Sequence, residues 1–574
     1  MKKDLVRLRW ERNKQRLLLK IQKELEIKKV RDDKLRKYFE SDPRFAILIP
    51  FVGKMAVFAL PISTKLSGYF ALLPSNLDLG AHIERYPLTD YKFVYDSYGH
   101  IRTVTLSGRM GQYFDKERMI YVIGLISSIP ARYKDSIDEN GYVNILSSYI
   151  RDHVKDYLSY LDYLIETGII ICDGHYEIGK KSKGYKFAPK YDVPLVRYTY
   201  ESVREGNESV VPIEEEVYNE DTRTNERNPL LCCPYLSYWY TQNKLVIDRD
   251  RASRYAYIVM RNKLAMGYDY WDINRNRWSK SRNDFCKKYP ITQYRAIIYN
   301  IEALTINDFK AKIDSHVHRL HSVLTNMQKE YRNFLSYDGQ SLVAIDIHNS
   351  QPYLMCLLFN PLFWQSGSNL PLNIGMLPLN IQSYFSEEHL IEIRDYITSY
   401  LNTEALITYI EKASEGVFYE HIRDAANSMN STTIDRGTAK VMMLVVFFSK
   451  NRFYYQRGAE LKRLFNFLYP QVYGLIKLIK KYDHAAFACL LQSIESEIIL
   501  HRCCKRIWEE RPYQVPVFTI HDSIATTIDH KDYVRGVMTD ELYRSIGIPP
   551  RLSEEFWSET VLQANHPDLY AYLG

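Results

Sequence analysis

The sequence has eight cysteines but no Cys-x-x-Cys: Cys172, Cys232, Cys233, Cys286, Cys356, Cys489, Cys503 and Cys504 occur singly or as adjacent pairs. Structural zinc sites gather their ligands at short fixed spacings, so no structural metal is expected. Long apolar runs are missing too. The longest, Phe45 to Ser63, is broken by Pro50, Gly53, Lys54 and Pro61, which rules it out as a membrane span. No cationic segment followed by an apolar run and a cleavage site opens the chain. These absences predict a soluble, reduced, cytoplasmic protein with no membrane partner. Internal repeats and low-complexity tracts are also lacking, which excludes solenoids and Pro- or Gly-rich linker proteins.

What is present is a globular composition, 46% hydrophobic and 25% charged, over 574 residues, too long for one ordinary core. The 48 tyrosines serve core packing as readily as base stacking and so do not choose between them. The net charge of +7 is unevenly placed. Residues 1–40 hold 15 Lys and Arg against 7 Asp and Glu, leaving the remainder close to neutral. This basic arm has Leu17, Leu18, Leu19, Ile21, Leu25 and Ile27 on a helical period, and it fits either a phosphate-binding or a solvated helix. Residues 41–110 read as a small β-containing region.

Residues 111–195 have a clearer pattern. A helix from about Lys116 is followed by a second over Val143 to Ile150 and a third over Arg151 to Glu166. Ile169, Ile170 and Ile171 then lead into a hairpin whose tip, Gly179 to Gly184, is rich in lysine. Three helices and a hairpin look like a winged-helix module, in which Lys180, Lys181, Lys183 and Lys186 would contact nucleic-acid phosphates. A protein-docking module with a solvated lysine turn is the plainer alternative. Residues 196–230 are acidic and turn-rich, as in an exposed linker.

Two segments in the C-terminal half present an acid at a strand end. Leu342 to Ile345 is an apolar run ending at Asp346, followed by Ile347, His348, Asn349, Ser350, Gln351 and Pro352, residues suited to a helix start. Val515 to Thr527 reads as a hairpin with His521 and Asp522 at its tip. Between them, Arg436, Lys440, Leu444 and Phe448 fall four apart and share one helix face. Two cations followed by an apolar and an aromatic side chain suit a nucleoside triphosphate. A further piece, Leu490-Leu491-Gln492-Ser493, opens a helix before the hairpin.

In this order the pieces resemble the family A DNA polymerase and phage-type single-subunit RNA polymerase superfamily. Residues 346–352 are similar to motif A, 436–449 to motif B and 519–524 to motif C. Leu490 to Ser493 resembles the glutamine-bearing helix before motif C. Arg319-Leu320-x-Ser322, Asn326, Gln328 and Arg332-x-Phe334 resemble the stretch before motif A, where an Arg approaches the primer–template. The resemblance covers roughly residues 315–560. It implies an α+β, largely helical right-hand polymerase, with an antiparallel palm sheet and helical fingers and thumb, preceded by the winged-helix-like module. Thumb and the start of the palm would occupy 231–345, palm and fingers 346–574.

The activity implied is template-directed nucleotidyl transfer, with a nucleic-acid template and primer and nucleoside triphosphates as partners. Asp346 and Asp522, with the carbonyl of Ile347, would hold two Mg²⁺ ions, Mn²⁺ being an acceptable substitute. Arg436 and Lys440 would meet the triphosphate, with Lys440 the donor to the leaving pyrophosphate. Leu444 and Phe448 would lie against the base, while His521, Gln492 and Arg319 would contact the primer terminus or the groove beside it.

The sequence also departs from the family. Phe448-Ser449 stands where motif B usually closes in Tyr-Gly, and no proofreading exonuclease is recognisable. Gln351 occupies the position of a bulky Glu in the DNA polymerases and of Gly in the RNA polymerases, which favours deoxynucleotides. Ser523 after His521-Asp522 resembles the RNA polymerases. A DNA polymerase from a plasmid, phage or other mobile element is the leading expectation. A single-subunit RNA polymerase or primer-making enzyme comes second, and a non-catalytic winged-helix replication initiator or other DNA-binding protein third. A reverse transcriptase would need a Tyr-x-Asp-Asp turn, which is missing.

Overall fold

The apolar run ending at Asp346 forms the middle of the main sheet because it has a strand on either side. In the computed structural model the sheet strands are β1 (Leu245–Ile247), β2 (Leu335–Tyr337), β3 (Gln340–Ile347), β4 (Phe518–Ile520), β5 (Ser523–Thr527) and β6 (Leu552–Trp557). The order is β1-β2-β3-β5-β4, with β6 also paired to β3, and every pairing is antiparallel. Leu342, Val343, Ala344 and Ile345 are all buried, as a strand covered on both faces requires. Asp346 lies opposite Ser523 on β5 and Ser553 on β6.

The structure describes residues 69–86, 91–95, 101–105, 114–200, 204–205, 208–209 and 233–573, leaving out 134–135, 139, 155, 177–181, 192, 266–269, 273–276, 280–289, 310, 315, 368–370, 401–402 and 430–432. The basic arm, Lys180, Lys181 and most of the acidic segment lie outside the described residues.

Helices surround the sheet, and the chain is an α+β protein, largely helical, with an antiparallel sheet. Those bearing on the site are α1 (Ser350–Met355), α2 (Phe418–Met429), α3 (Arg436–Phe448) and α4 (Ala486–Ser496). Tyr240, Tyr255, Tyr331, Tyr353, Tyr409 and Tyr469 are all fully buried, so much of the tyrosine excess is packing material. No helix among the described residues is long and apolar enough to cross a membrane.

Residues 114–200 hold helices Lys116–Arg132, Ser147–His153 and Tyr157–Glu166 and a three-stranded sheet of order 143–144, 184–187, 170–172. The expected helix over Val143 to Ile150 is corrected here. Val143 and Asn144 form a strand paired with Tyr185 and Gly184, because Val143 and Ile145 alternate into the core. The third helix likewise begins at Tyr157 rather than Arg151, after a break at Val154. This unit is joined to the C-terminal half through the Pro290–Thr305 helix. Arg132 bonds the Tyr299 hydroxyl at 3.1 Å, and Arg197 pairs with Glu302 at 3.1 Å.

The helix expected to open at Leu490 begins earlier, at Ala486, with the Asp483 side chain accepting from the Ala485 N–H. No helix breaker follows, so it runs on through a wider-turn segment, Glu497–Cys504, into Lys505–Glu510. Such wide turns cluster near functional sites, and this one begins two residues after Glu495.

Candidate active site

Asp346 ends β3, and Asp522 occupies the β4–β5 turn directly before the residue that faces Asp346. The turn is tight enough to hold His521 at φ 55°, in the left-handed region that non-glycine residues adopt sparingly. The start of α1 brings the Ser350 hydroxyl beside Asp522, buried and without a hydrogen-bond partner of its own. Side chains paired across an antiparallel sheet share a face, so Ala344, Ser523, Ala525 and Ser553 all lie around Asp346. Four small neighbours leave the acid open on its own side of the sheet. Glu555, opposite Ala344, is the next acid on that face, with its carboxylate paired to Lys329 at 2.6 Å and to the Trp557 indole at 3.2 Å.

The electrostatics follow from this crowding. Burial, then the charges of Asp522 and Glu555, push the Asp346 carboxyl up to about 7, against the opposing pull of Lys329 and Lys440. Burial also raises Asp522, while the Ser350 hydroxyl, a backbone N–H, Arg319 and Lys440 oppose the rise. Two neighbouring carboxyls raised by burial, one of them also by the charge of the other, are what a divalent cation relieves, and hard oxygen donors match Mg²⁺. Among the described residues no three His, Cys, Asp or Glu side chains converge as a metal-ligand set. Asp346 and Asp522 are the acids that could hold such a cation, and the resemblance adds the main chain at Ile347, the last residue of β3.

The α3 helix carries the expected cationic face. Arg436, Lys440, Leu444 and Phe448 are exposed, whereas Ala439, Met442, Met443, Val446 and Phe447 are buried. Asp435 caps its first turn by accepting from the Thr438 N–H at 2.7 Å. Two buried lysines hold its other end: Lys480 donates to the carbonyls of Val446 (2.7 Å) and Ser449 (3.1 Å), and Lys462 to the Ser449 hydroxyl (2.9 Å) and the Lys450 carbonyl (2.9 Å). Cations at a helix C-terminus offset its partial negative charge, yet burial still lowers both, Lys462 to about 8 and Lys480 to about 7. The two exposed cations differ. Lys440 acts on both Asp346 and Asp522 and has no ion pair among the described residues, whereas Arg436 is bonded to Glu420 on α2 and lies 5.5 Å over the Tyr419 ring.

A second layer joins motif A to the helix before motif C. Glu495, 1% exposed, accepts from Arg319 at 2.6 Å and from the Gln351 amide at 3.0 Å, both through Oε2. Burial, then the charge of Asp522, push Glu495 up to about 7, with Arg319 and Gln351 pulling the other way. Arg319 is set by a turn built on Asp314, which accepts from the backbone N–H groups of His316, Val317 and Arg319 and from His321. Burial alone would raise Asp314, but His321 and these N–H groups outweigh it and hold the acid at about 2. His321 also packs edge-on against His521, at 6.2 Å between ring centres.

The structure thus gathers Asp346, Asp522, Lys440, Gln351, Arg319, Ile347 and His521 around one region. Gln492 lies on α4 beside it, half-buried, with no side-chain hydrogen bond among the described residues. Lys183 and Lys186 lie far along the chain in the 114–200 unit. Lys183 is exposed, while Lys186 donates to the Asn140 carbonyl at 3.2 Å and stacks 4.1 Å from the Tyr142 ring. Reading the sequence missed Glu495, Glu555, Glu420, Lys329 and Tyr419. One signal for Glu495 was available, since it falls four residues after Leu491 and four before Ile499, on the apolar stripe of its helix.

A pH dependence of stability follows. Asp346 and Glu495 titrate near 7 when folded but at ordinary carboxyl values when unfolded, so the folded chain holds protons the unfolded chain has lost. Their contribution is full below about pH 4 and is lost as pH rises through about 7. Without divalent cations, unfolding free energy should fall by about 5 kcal/mol between pH 5 and pH 8, roughly half from each acid, and Glu495→Gln should remove its share of the fall. Urea titrations at the two pH values measure this, and identical slopes for wild type and variant would refute it.

Searches with family models and among curated proteins find no match. Among solved structures the chain is similar to the POL domain of Pol1 from M. smegmatis, in complex with DNA primer-template and dNTP, at 10% identity and a TM-score of 0.27 over 57% of this chain and 70% of that one. So faint a likeness lends no weight to a functional reading, which rests on the residues of the site.

Proposed function

We propose that this chain is a template-directed nucleotidyltransferase, an exonuclease-free right-hand polymerase whose palm is the β1–β6 sheet and whose fingers carry α3. The observation that carries the reading is the pair Asp346 and Asp522, half-buried acids raised by burial where adjoining strands end, with the exposed Lys440 acting on both. Two Mg²⁺ ions on these acids would supply activation of a primer 3′ oxygen and neutralisation of the leaving pyrophosphate. The chain's own part is positioning. Lys440 stands ready to donate to the leaving phosphates, Arg436 can exchange Glu420 for a phosphate oxygen, and Leu444 and Phe448 offer the next two turns of the same face to a base. His521, Arg319 and Gln492 border the acids where the primer end would lie.

A DNA-directed DNA polymerase is the favoured form, on the grounds that Gln351 fills the space a ribose 2′ hydroxyl would need and Phe448 lacks a hydroxyl to hold it. Ser523 after Asp522 favours the RNA polymerase as the second reading. Extension of labelled primers on DNA and RNA templates, with each nucleotide class supplied separately, tests both. Wild type should prefer deoxynucleotides by about ten- to a hundredfold, and Gln351→Gly should raise ribonucleotide use. A wild-type preference for ribonucleotides would replace the first reading with the second.

The 114–200 unit is proposed to be a winged helix that binds nucleic acid through the wing. Its Tyr157–Glu166 helix carries no Lys or Arg, so phosphate contacts fall to the lysine tip. Changing Lys180, Lys181 and Lys183 together to Ala should weaken binding and flatten its dependence on salt by about two to three phosphate contacts. An unchanged affinity and slope in fluorescence anisotropy would assign the unit to protein docking.

A further inference from the structure

Buried polar atoms in a folded chain almost always find partners, so a local concentration of unpartnered ones asks for an explanation. One lies beside Asp522. Asn349, only 7% exposed and left-handed at φ 50°, has neither its amide oxygen nor its amide nitrogen bonded. Two residues on, Gln351 donates from Nε2 to Glu495, while its Oε1 is buried without a partner. Arg319 donates from Nη2 to the same Glu495 oxygen, while its Nε is unpartnered too.

The geometry decides how Gln351 is turned. With Arg319 donating to Glu495 Oε2, that oxygen is an acceptor whenever the carboxyl is ionised, and the Gln351 –NH₂ then faces Glu495 with its carbonyl turned away. Without Glu495 the amide could rotate by half a turn at little cost and offer either end. The helix bearing it is otherwise fixed, since the Tyr353 hydroxyl donates to the Ile548 carbonyl at 2.7 Å and the Tyr409 hydroxyl to the Pro352 carbonyl at 3.2 Å. The amide is thus the one adjustable part of Gln351's surroundings, and Glu495 sets it.

We infer that Glu495 is a positioning residue for substrate selection: by holding Gln351 and Arg319 on one carboxylate oxygen it fixes which polar group meets the sugar of the incoming nucleotide. The inference rests on the nucleotidyl-transfer reading. Glu495 acts through the two side chains it bonds.

The test is single-nucleotide incorporation by the full chain, with deoxy- and ribonucleotide forms of one base, for wild type, Glu495→Gln and the reciprocal double variant Glu495→Gln with Gln351→Glu. Glu495→Gln should bring the ratio of kcat/KM between the two sugars at least about fivefold closer to unity and raise KM about fivefold. Its kcat for the better nucleotide should stay within about threefold of wild type, and its melting temperature should not fall. The double variant restores one carboxylate and one amide to the same contact, within reach of Arg319, and should recover most of the discrimination.

A sugar ratio within about twofold of wild type in Glu495→Gln overturns the inference while leaving nucleotidyl transfer standing. A fall in kcat alone, with ratio and KM unchanged, makes Glu495 merely structural and overturns it equally. A stable double variant that recovers no discrimination overturns the pairing. Absence of any incorporation by wild type overturns the transfer reading, and this inference with it.

Discussion

Asp346→Asn and Asp522→Asn should each reduce nucleotide incorporation by at least about a hundredfold while leaving nucleic-acid affinity within about threefold of wild type. The substitution keeps the size of each side chain and removes only its charge. At Asp346 that charge is already disfavoured by burial and by Asp522 and Glu555, so its loss relieves the folded chain. The melting temperature of Asp346→Asn in the absence of divalent cations should therefore equal or exceed that of wild type at pH 8. Carboxyls perturbed in this way cluster at functional sites. Anisotropy with a primer–template, thermal unfolding and single-turnover extension together separate the causes. Extension within tenfold of wild type by either variant would remove the two-acid site. Lost binding or a lowered melting point would recast the acids as structural.

The two acids were legible because their positions follow from local rules. An apolar run of four residues ending in Asp is a buried strand that stops where it meets water, and His521-Asp522 between two β-branched segments is a hairpin tip. The α3 face was legible for a similar reason: spacing of four places Arg436, Lys440, Leu444 and Phe448 together whatever surrounds the helix. What could not be read were partners supplied by distant segments. Arg436 meets Glu420 from a separate helix, and Lys329 meets Glu555 across 226 residues of chain. Lys462 and Lys480 are buried on the carbonyls at the end of α3, partners that the spacing of α3 does not show. Val143 was misread because two residues of strand are too few to show alternation.

These partners change what the legible residues can do, most clearly for the two cations of α3. Lys440→Ala should lower kcat by about a hundredfold, whereas Arg436→Ala should raise KM for the nucleotide about tenfold with kcat within about threefold. By spacing alone the two share one face, one turn apart, and only the resemblance makes Lys440 the donor to the pyrophosphate. In the structure Arg436 is held by Glu420 and lies over Tyr419, so engaging a phosphate means giving up an ion pair, and the net gain is a modest share of ground-state binding. Lys440 has no such pair among the described residues and acts on both acids at once. On the nucleotidyl-transfer reading, its ammonium would be the charge available when negative charge builds on the leaving phosphates, an interaction strongest in the transition state. Lys440→Arg should keep the charge but lose the compact donor, recovering only part of the rate. Glu420→Gln frees Arg436 and should lower KM, the opposite of Arg436→Ala. Pre-steady-state incorporation over a range of nucleotide concentrations measures each quantity. Equal losses of kcat in Lys440→Ala and Arg436→Ala, or a raised KM in Glu420→Gln, would show that the Arg436–Glu420 pair does not divide the work between the two cations.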